Sequence, residues 1–155
     1  MHTKPKKSLG QNFLVDKNVQ RKIIAACAVS PQDVVLEIGP GRGALTGLLL
    51  EKAGLVYGLE IDRLLVVDLK KQFGKQENFR LENIDVLKFD LQQAFGDLKK
   101  PVRVIGNIPY YITTPIIDHL LGFRSIISDI HLTEQKEFGQ RMVAQPGTKE
   151  YGAFS

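Results

Sequence analysis

The chain has 155 residues, 43% of them hydrophobic, enough for one globular domain spanning residues 1–155 with a core of its own. Its net charge of +4 permits an anionic partner without demanding one. A single cysteine (Cys27), three histidines without ligand spacing (His2, His119, His131) and no long apolar run argue against a disulfide scaffold, a histidine metal site and a membrane span. With no secretory signal pattern either, the expectation is a soluble, cytoplasmic protein in a reducing compartment.

Much of the positive excess lies in the first seven residues, where Lys4, Lys6 and Lys7 fall beside Pro5. Such an arm either touches phosphates or is a solvated tail. Ser8 to Leu14 shows no clear period. Asp16 is an N-cap candidate for a helix with Val19, Ile23, Ile24 and Cys27 on one face, ended by Ser30-Pro31. Val34 to Ile38 reads as a strand of the kind buried on both faces of a parallel sheet. It runs into Gly39-Pro40-Gly41-Arg42-Gly43 and a helix from about Ala44 to Ala53, closed by Gly54. Leu55 to Leu59 is a second strand, ending at Glu60 and Asp62. Leu65, Leu69 and Phe73, at i, i+4 and i+8, mark a helix that stops at Gly74.

Phe79 to Ile84 is a third strand with Asp85 at its end, and Leu87 to Lys100 reads as a loop or short helix. Val102, Val104 and Ile105 form a fourth strand that leads into Gly106-Asn107-Ile108-Pro109-Tyr110. Thr114-Pro115 has the form of an N-cap and first helical residue for a helix through Leu121. Ile126 to Leu132 is a fifth strand, Gln135 to Ala144 a helix, and Gln145 to Ser155 a loop. Strands alternating with helices imply an α/β fold with a right-handed parallel sheet. A Rossmann-like strand order 3-2-1-4-5 puts the first and fourth strand ends side by side at the switch point. Gly39 to Gly43 then adjoins Asn107 to Tyr110.

The residues at these strand ends carry the chemistry. An aromatic amine is a poor nucleophile because its lone pair is delocalised into the ring. A neutral acceptor, the Asn107 side-chain oxygen or a nearby backbone carbonyl, can bind its N–H groups and turn the lone pair toward an electrophile. Pro109 stiffens the loop. Tyr110 offers a face for a base extruded from its stack. Gly39-x-Gly41-x-Gly43 lets backbone approach a ligand closely. Glu60, twenty-one residues after Gly39, can accept from both hydroxyls of a ribose, and Asp85 from an adenine amino group. The spacing is not the Gly-x-Gly-x-x-Gly of dinucleotide folds, which favours S-adenosylmethionine over NAD. Ordinary strand-end acids and a plain Pro-Tyr turn are the bland alternatives.

On these residues the chain resembles the rRNA adenine N6,N6-dimethyltransferase family, kin of the macrolide-resistance rRNA methyltransferases. The matching stretches are Leu9-Gly-Gln-Asn-Phe-Leu14, Glu37-Ile-Gly-Pro-Gly41, Glu60-Ile-Asp62, Ile84-Asp85, Asn107-Ile-Pro-Tyr110 with Tyr111-Ile-Thr-Thr-Pro115, Gln135-Lys-Glu137 and Pro146-Gly-Thr-Lys-Glu-Tyr-Gly152. They occur in family order across nearly the whole chain. The resemblance implies a class I methyltransferase that transfers two methyl groups from S-adenosylmethionine to each of two adjacent adenosines of small-subunit rRNA. It implies that Asn12 and Leu14 contact the methionine side within a lid from Gln11 to Leu14. Gly39 then forms the glycine loop, Glu60 holds the ribose and Asp85 the adenine. Asn107 meets both cofactor and target amine, and Pro109 and Tyr110 complete the target pocket, with no metal required.

Two positions depart from the family pattern: Ile108 replaces the usual leucine, and Tyr111 stands where some relatives have asparagine. The resemblance also implies that the chain stops, at Ser155, before the last two strands of the sheet and a small helical domain. That would leave the fifth strand as an exposed edge. The expected partner is small-subunit rRNA or a pre-ribosomal subunit, met by a monomer. The rival readings are methylation of large-subunit rRNA, a cofactor- or RNA-binding module without activity, and an NAD-dependent dehydrogenase.

Overall fold

The computed structural model describes residues 14–152. Five parallel strands form one sheet: β1 (Val34–Ile38), β2 (Leu55–Leu59), β3 (Phe79–Glu82), β4 (Val102–Gly106) and β5 (Ile127–Leu132), in the order β3-β2-β1-β4-β5. This is the expected order, with β1 and β4 paired directly from Val35↔Arg103 to Ile38↔Gly106. The helices are α1 (Lys17–Cys27), α2 (Thr46–Leu50), α3 (Arg63–Phe73), α4 (Leu91–Phe95), α5 (Thr113–Leu121) and α6 (Lys136–Met142).

Alternation along β1 sends its side chains to both faces of the sheet. Leu36 and Ile38 join Leu59, Val104, Phe95 and Leu120 in one core, beneath α4 and α5. Val35 joins Val56, Ile105, Ile24, Cys27 and Leu49 in the other, beneath α1 and α2. Leu36, Leu49 and Leu120 are each 0% exposed. Burial of each contributes about 1.5–3 kcal/mol, well above any local propensity, which is why continuous apolar runs located the strands so well.

Local signals held where they were self-contained. Asp16 caps α1, its carboxylate accepting from the N–H groups of Asn18 and Val19. Asp62 caps α3 in the same way through Leu64 N–H. Several boundaries moved because distant partners intervene. α1 ends at Cys27, not at Ser30-Pro31: Ala28 turns left-handed (φ 47°), and the Arg103 guanidinium on β4 takes the carbonyls of Cys27 and Ala28. Arg103 also grips Asp129 bidentately (2.8–3.1 Å) and reaches Asp33 at 3.1 Å, tying α1, β1, β4 and β5 together. α2 is confined to Thr46–Leu50, with turns on both sides in place of the helix expected from Ala44 to Ala53.

β3 ends at Glu82, short of the expected Ile84, because the Asn83 amide donates to the carbonyls of Glu60 (2.8 Å) and Ile61 (3.1 Å). Within Leu87 to Lys100 lies α4, capped by Asp90. Thr114-Pro115 is not the start of α5: a 3-10 turn over Tyr110–Ile112 leads into the helix at Thr113, two residues before Pro115, and the Thr113 hydroxyl donates to Glu134. β5 begins at Ile127 and α6 spans Lys136–Met142, slightly inside the expected ranges. Cys27 is buried as expected, and burial raises its thiol pKa. Among the described residues no helix is long and apolar enough to cross a membrane.

Candidate active site

The C-terminal ends of β1, β2, β3 and β4 converge on a cavity of about 410 Å³, a size suited to a small-molecule ligand. Its wall includes Leu14, Gly39, Gly41, Glu60, Asp85, Asn107, Pro109 and Tyr110, so every site residue expected from the sequence within 14–152 lies on one cavity. Asn12 and the Lys4, Lys6 and Lys7 arm lie outside the described residues.

The glycine turn is built by its backbone. Gly39, Gly41 and Gly43 have φ of 63°, 60° and 80°, all left-handed. Gly43 has a second constraint, since a Cβ there would sit 2.4 Å from the Phe73 ring of α3. Gly43→Ala should therefore destabilise the fold by about 2–4 kcal/mol, read as a drop in urea midpoint with little change in slope. A variant as stable as the wild type would show that α3 does not pack tightly on this turn.

Glu60 is 4% exposed and held by backbone. Gly41 N–H donates to Oε2 at 3.0 Å and Asp62 N–H to Oε1 at 2.8 Å, so the carboxylate is aimed before any ligand arrives. Burial raises its pKa, and the backbone donors offset part of that rise. Asp85 is half-buried, with Oδ1 capping the turn at Leu87 N–H (3.1 Å). Ile61, Ile84 and Val86 add apolar wall beside these two acids.

On the β4 side, Asn107 is half-buried and accepts from the Thr133 hydroxyl at the end of β5. The Pro109 carbonyl accepts Ile112 N–H at 3.1 Å, which closes the turn that displays Tyr110 and Tyr111. Tyr110 and Tyr111 are 44% and 65% exposed, large aromatic side chains on the cavity wall. Leu14 is steadied from below by Gln20, whose amide donates to its carbonyl at 2.7 Å.

Reading the chain for motifs missed Gln20, Thr133 and the role of Glu37. Glu37 alone carried a visible signal, an acid inside the apolar Val34–Ile38 run. It is 2% exposed on the cavity wall, and its Oε2 and the Thr46 hydroxyl are both buried without a hydrogen-bond partner. Burial pushes Glu37 up to about 8; the nearby Thr46 hydroxyl opposes part of this rise, and the Glu60 charge adds a smaller upward push. A carboxyl that holds its proton more tightly when folded stabilises the fold below its ordinary value of 4.5, and that stability is lost as pH rises toward about 8. Unfolding free energy should thus fall between pH 5 and 8 on the order of 1 kcal/mol per unit relative to Glu37→Gln, which removes the titration. Parallel pH profiles for the two proteins would contradict a neutral Glu37.

A family model described as ribosomal RNA adenine dimethylase matches residues 2–155. The chain is 49% identical to ribosomal RNA small subunit methyltransferase A of Moorella thermoacetica, covering 97% of this chain and 55% of that protein. The crystal structure of a dimethyladenosine transferase from Plasmodium falciparum superposes with a TM-score of 0.78 at 32% identity, over 92% of this chain and 50% of that one. The 23S rRNA methyltransferase ErmE superposes with a TM-score of 0.71 at 30% identity, over 84% and 50%. The chain spans about half the length of the curated relatives it matches. With the motif residues on one cavity at the switch point of a parallel sheet, the chain belongs to the ribosomal RNA adenine dimethylase family.

Proposed function

We propose that residues 1–155 form the cofactor-binding domain of an S-adenosylmethionine-dependent enzyme that dimethylates N6 of two adjacent adenosines in small-subunit rRNA. The observation that carries this reading is the meeting of two half-sites in one cavity: backbone-aimed Glu60 on the β2 side and Asn107-Ile108-Pro109-Tyr110 on the β4 side. The cavity suits the cofactor on its own terms. The left-handed glycine turn brings backbone against the ligand, Glu60 presents a fixed acceptor for a ribose, Asp85 one for an adenine amino group, and Ile61 and Ile84 flank them. Leu14, with Asn12 before it, would cover the amino-acid end.

Bound there, S-adenosylmethionine supplies an electrophilic methyl group on a sulfonium. The chain's own residues prepare the acceptor. Tyr110 stacks against the extruded adenine, trading the lost base stack for an aromatic face worth about 1–3 kcal/mol. The Asn107 oxygen and a carbonyl of the Ile108-Pro109 segment accept the amine N–H groups, which turns the nitrogen lone pair out of the ring plane. Transfer would form the nitrogen–carbon bond as the sulfur–carbon bond breaks and a neutral thioether departs; the methylated nitrogen, then cationic, would give its proton to solvent, so the chain needs no strong base. Both acceptors are neutral.

The large-subunit reading has one observation behind it, the likeness to ErmE. The 49% identity to a small-subunit methyltransferase favours the other target. Incubation of the full-length protein with unmodified small- and large-subunit particles, followed by nucleoside mass spectrometry, separates them. N6,N6-dimethyladenosine in the small-subunit RNA alone is the expected product; modification confined to the large subunit, or none, overturns the proposal.

A further inference from the structure

β5 leaves the sheet through two consecutive polar residues, and both reach back to the loop that follows β4. The Thr133 hydroxyl donates to Asn107 Oδ1, and Glu134 accepts from the Thr113 hydroxyl. Asn107 opens that loop and Thr113 closes it, so the corner at 133–134 clasps both ends of the segment that displays Pro109 and Tyr110. The Thr133 main chain adds a third tie, its N–H donating to the Gly106 carbonyl at 3.1 Å, in line with the Gly106↔Leu132 pairing.

We infer that Thr133 is a positioning residue for methyl transfer: its hydroxyl sets the orientation of the Asn107 carboxamide that receives the target amine. A carboxamide turns about its last side-chain bond with broad preference, and reversing it replaces an acceptor by a donor. A donor facing the amine would repel the N–H groups it has to bind. A hydroxyl held in place by its own backbone beside Gly106, and donating to Oδ1, favours the orientation with the oxygen toward Thr133. Of the short motif stretches that carry the resemblance, the one on this side starts at Gln135, so Thr133 and Glu134 precede it.

This inference rests on the reading of Asn107 as the amine acceptor, and the test keeps the two apart. Thr133→Val, Thr133→Ser and Asn107→Ala are compared in the full-length protein by kcat, KM for RNA and affinity for S-adenosylmethionine. A lost positioning hydrogen bond of ordinary strength corresponds to roughly a five- to tenfold fall in kcat. Thr133→Val, equal in size but without the hydroxyl, should show that fall with KM and cofactor affinity within twofold, and Thr133→Ser should restore kcat. A Thr133→Val enzyme at the wild-type rate, or a Thr133→Ser enzyme as slow as the valine variant, overturns the inference. If Asn107→Ala remains fully active, the acceptor role of Asn107 fails as well; if only the Thr133 variants are neutral, that role stands alone.

Discussion

Asn107→Ala should lower the methyl-transfer rate by about 10²–10³, the usual consequence of removing one preorganised polar group that acts in the transition state. Asn107 sits where β4 ends, half-buried against Thr133, on the wall shared by both halves of the cavity. Alanine removes the carboxamide and leaves the strand pairing of Gly106 intact. Single-turnover kinetics on the full-length protein, with calorimetric cofactor affinity beside them, check the result. A loss under tenfold with unchanged cofactor affinity would remove Asn107 from the chemistry.

The second large effect falls on the cofactor. Glu60→Ala should weaken S-adenosylmethionine binding about a hundredfold, because a carboxylate that accepts from ribose hydroxyls makes charge-assisted bonds worth roughly 1.5–3 kcal/mol each. It should also destabilise the protein by about 1–3 kcal/mol, since the N–H groups of Gly41 and Asp62 lose their partner. Glu60→Gln separates the two effects. It keeps an acceptor for one backbone N–H but turns a donor toward the other, so folding suffers less than in the alanine variant while affinity still falls. Affinity within threefold of wild type in both variants would place the ribose elsewhere.

Much of this was legible in the sequence, for a specific reason. Strands buried on both faces show as unbroken apolar runs, and the Val34–Ile38 and Leu55–Leu59 runs matched the observed strands residue for residue. Asp16 was readable as a cap because a cap needs only its own next turn, whereas Asp62, taken as a strand end, also caps α3. What escaped depends on residues far away in the chain. Asn83 ends β3 by bonding to carbonyls more than twenty residues earlier. Arg103 ends α1 from across the sheet. The turn over Tyr110–Ile112 carries α5 back to Thr113, whose hydroxyl meets Glu134 twenty-one residues on, so Thr114 lies inside the helix and is not its cap.

The site divides along the same line. Gly39, Gly41, Glu60, Asp85 and Asn107 stand at strand ends, so topology alone gathers them. Thr133 also stands at a strand end, but its meaning appears only once the β4–β5 register sets it against Asn107. Glu37 needed the cavity itself, because an acid in a strand reveals nothing of its proton until its burial is known.

The cavity, with its Gly39-x-Gly41-x-Gly43 turn and backbone-held Glu60, fits S-adenosylmethionine and not a dinucleotide. Calorimetric titration of the chain with S-adenosylmethionine, and separately with NAD, tests it most directly. Saturable one-to-one binding of S-adenosylmethionine, lost in Glu60→Ala, is expected, with no binding of NAD. Saturable binding of NAD, or S-adenosylmethionine binding that Glu60→Ala leaves untouched, would contradict it.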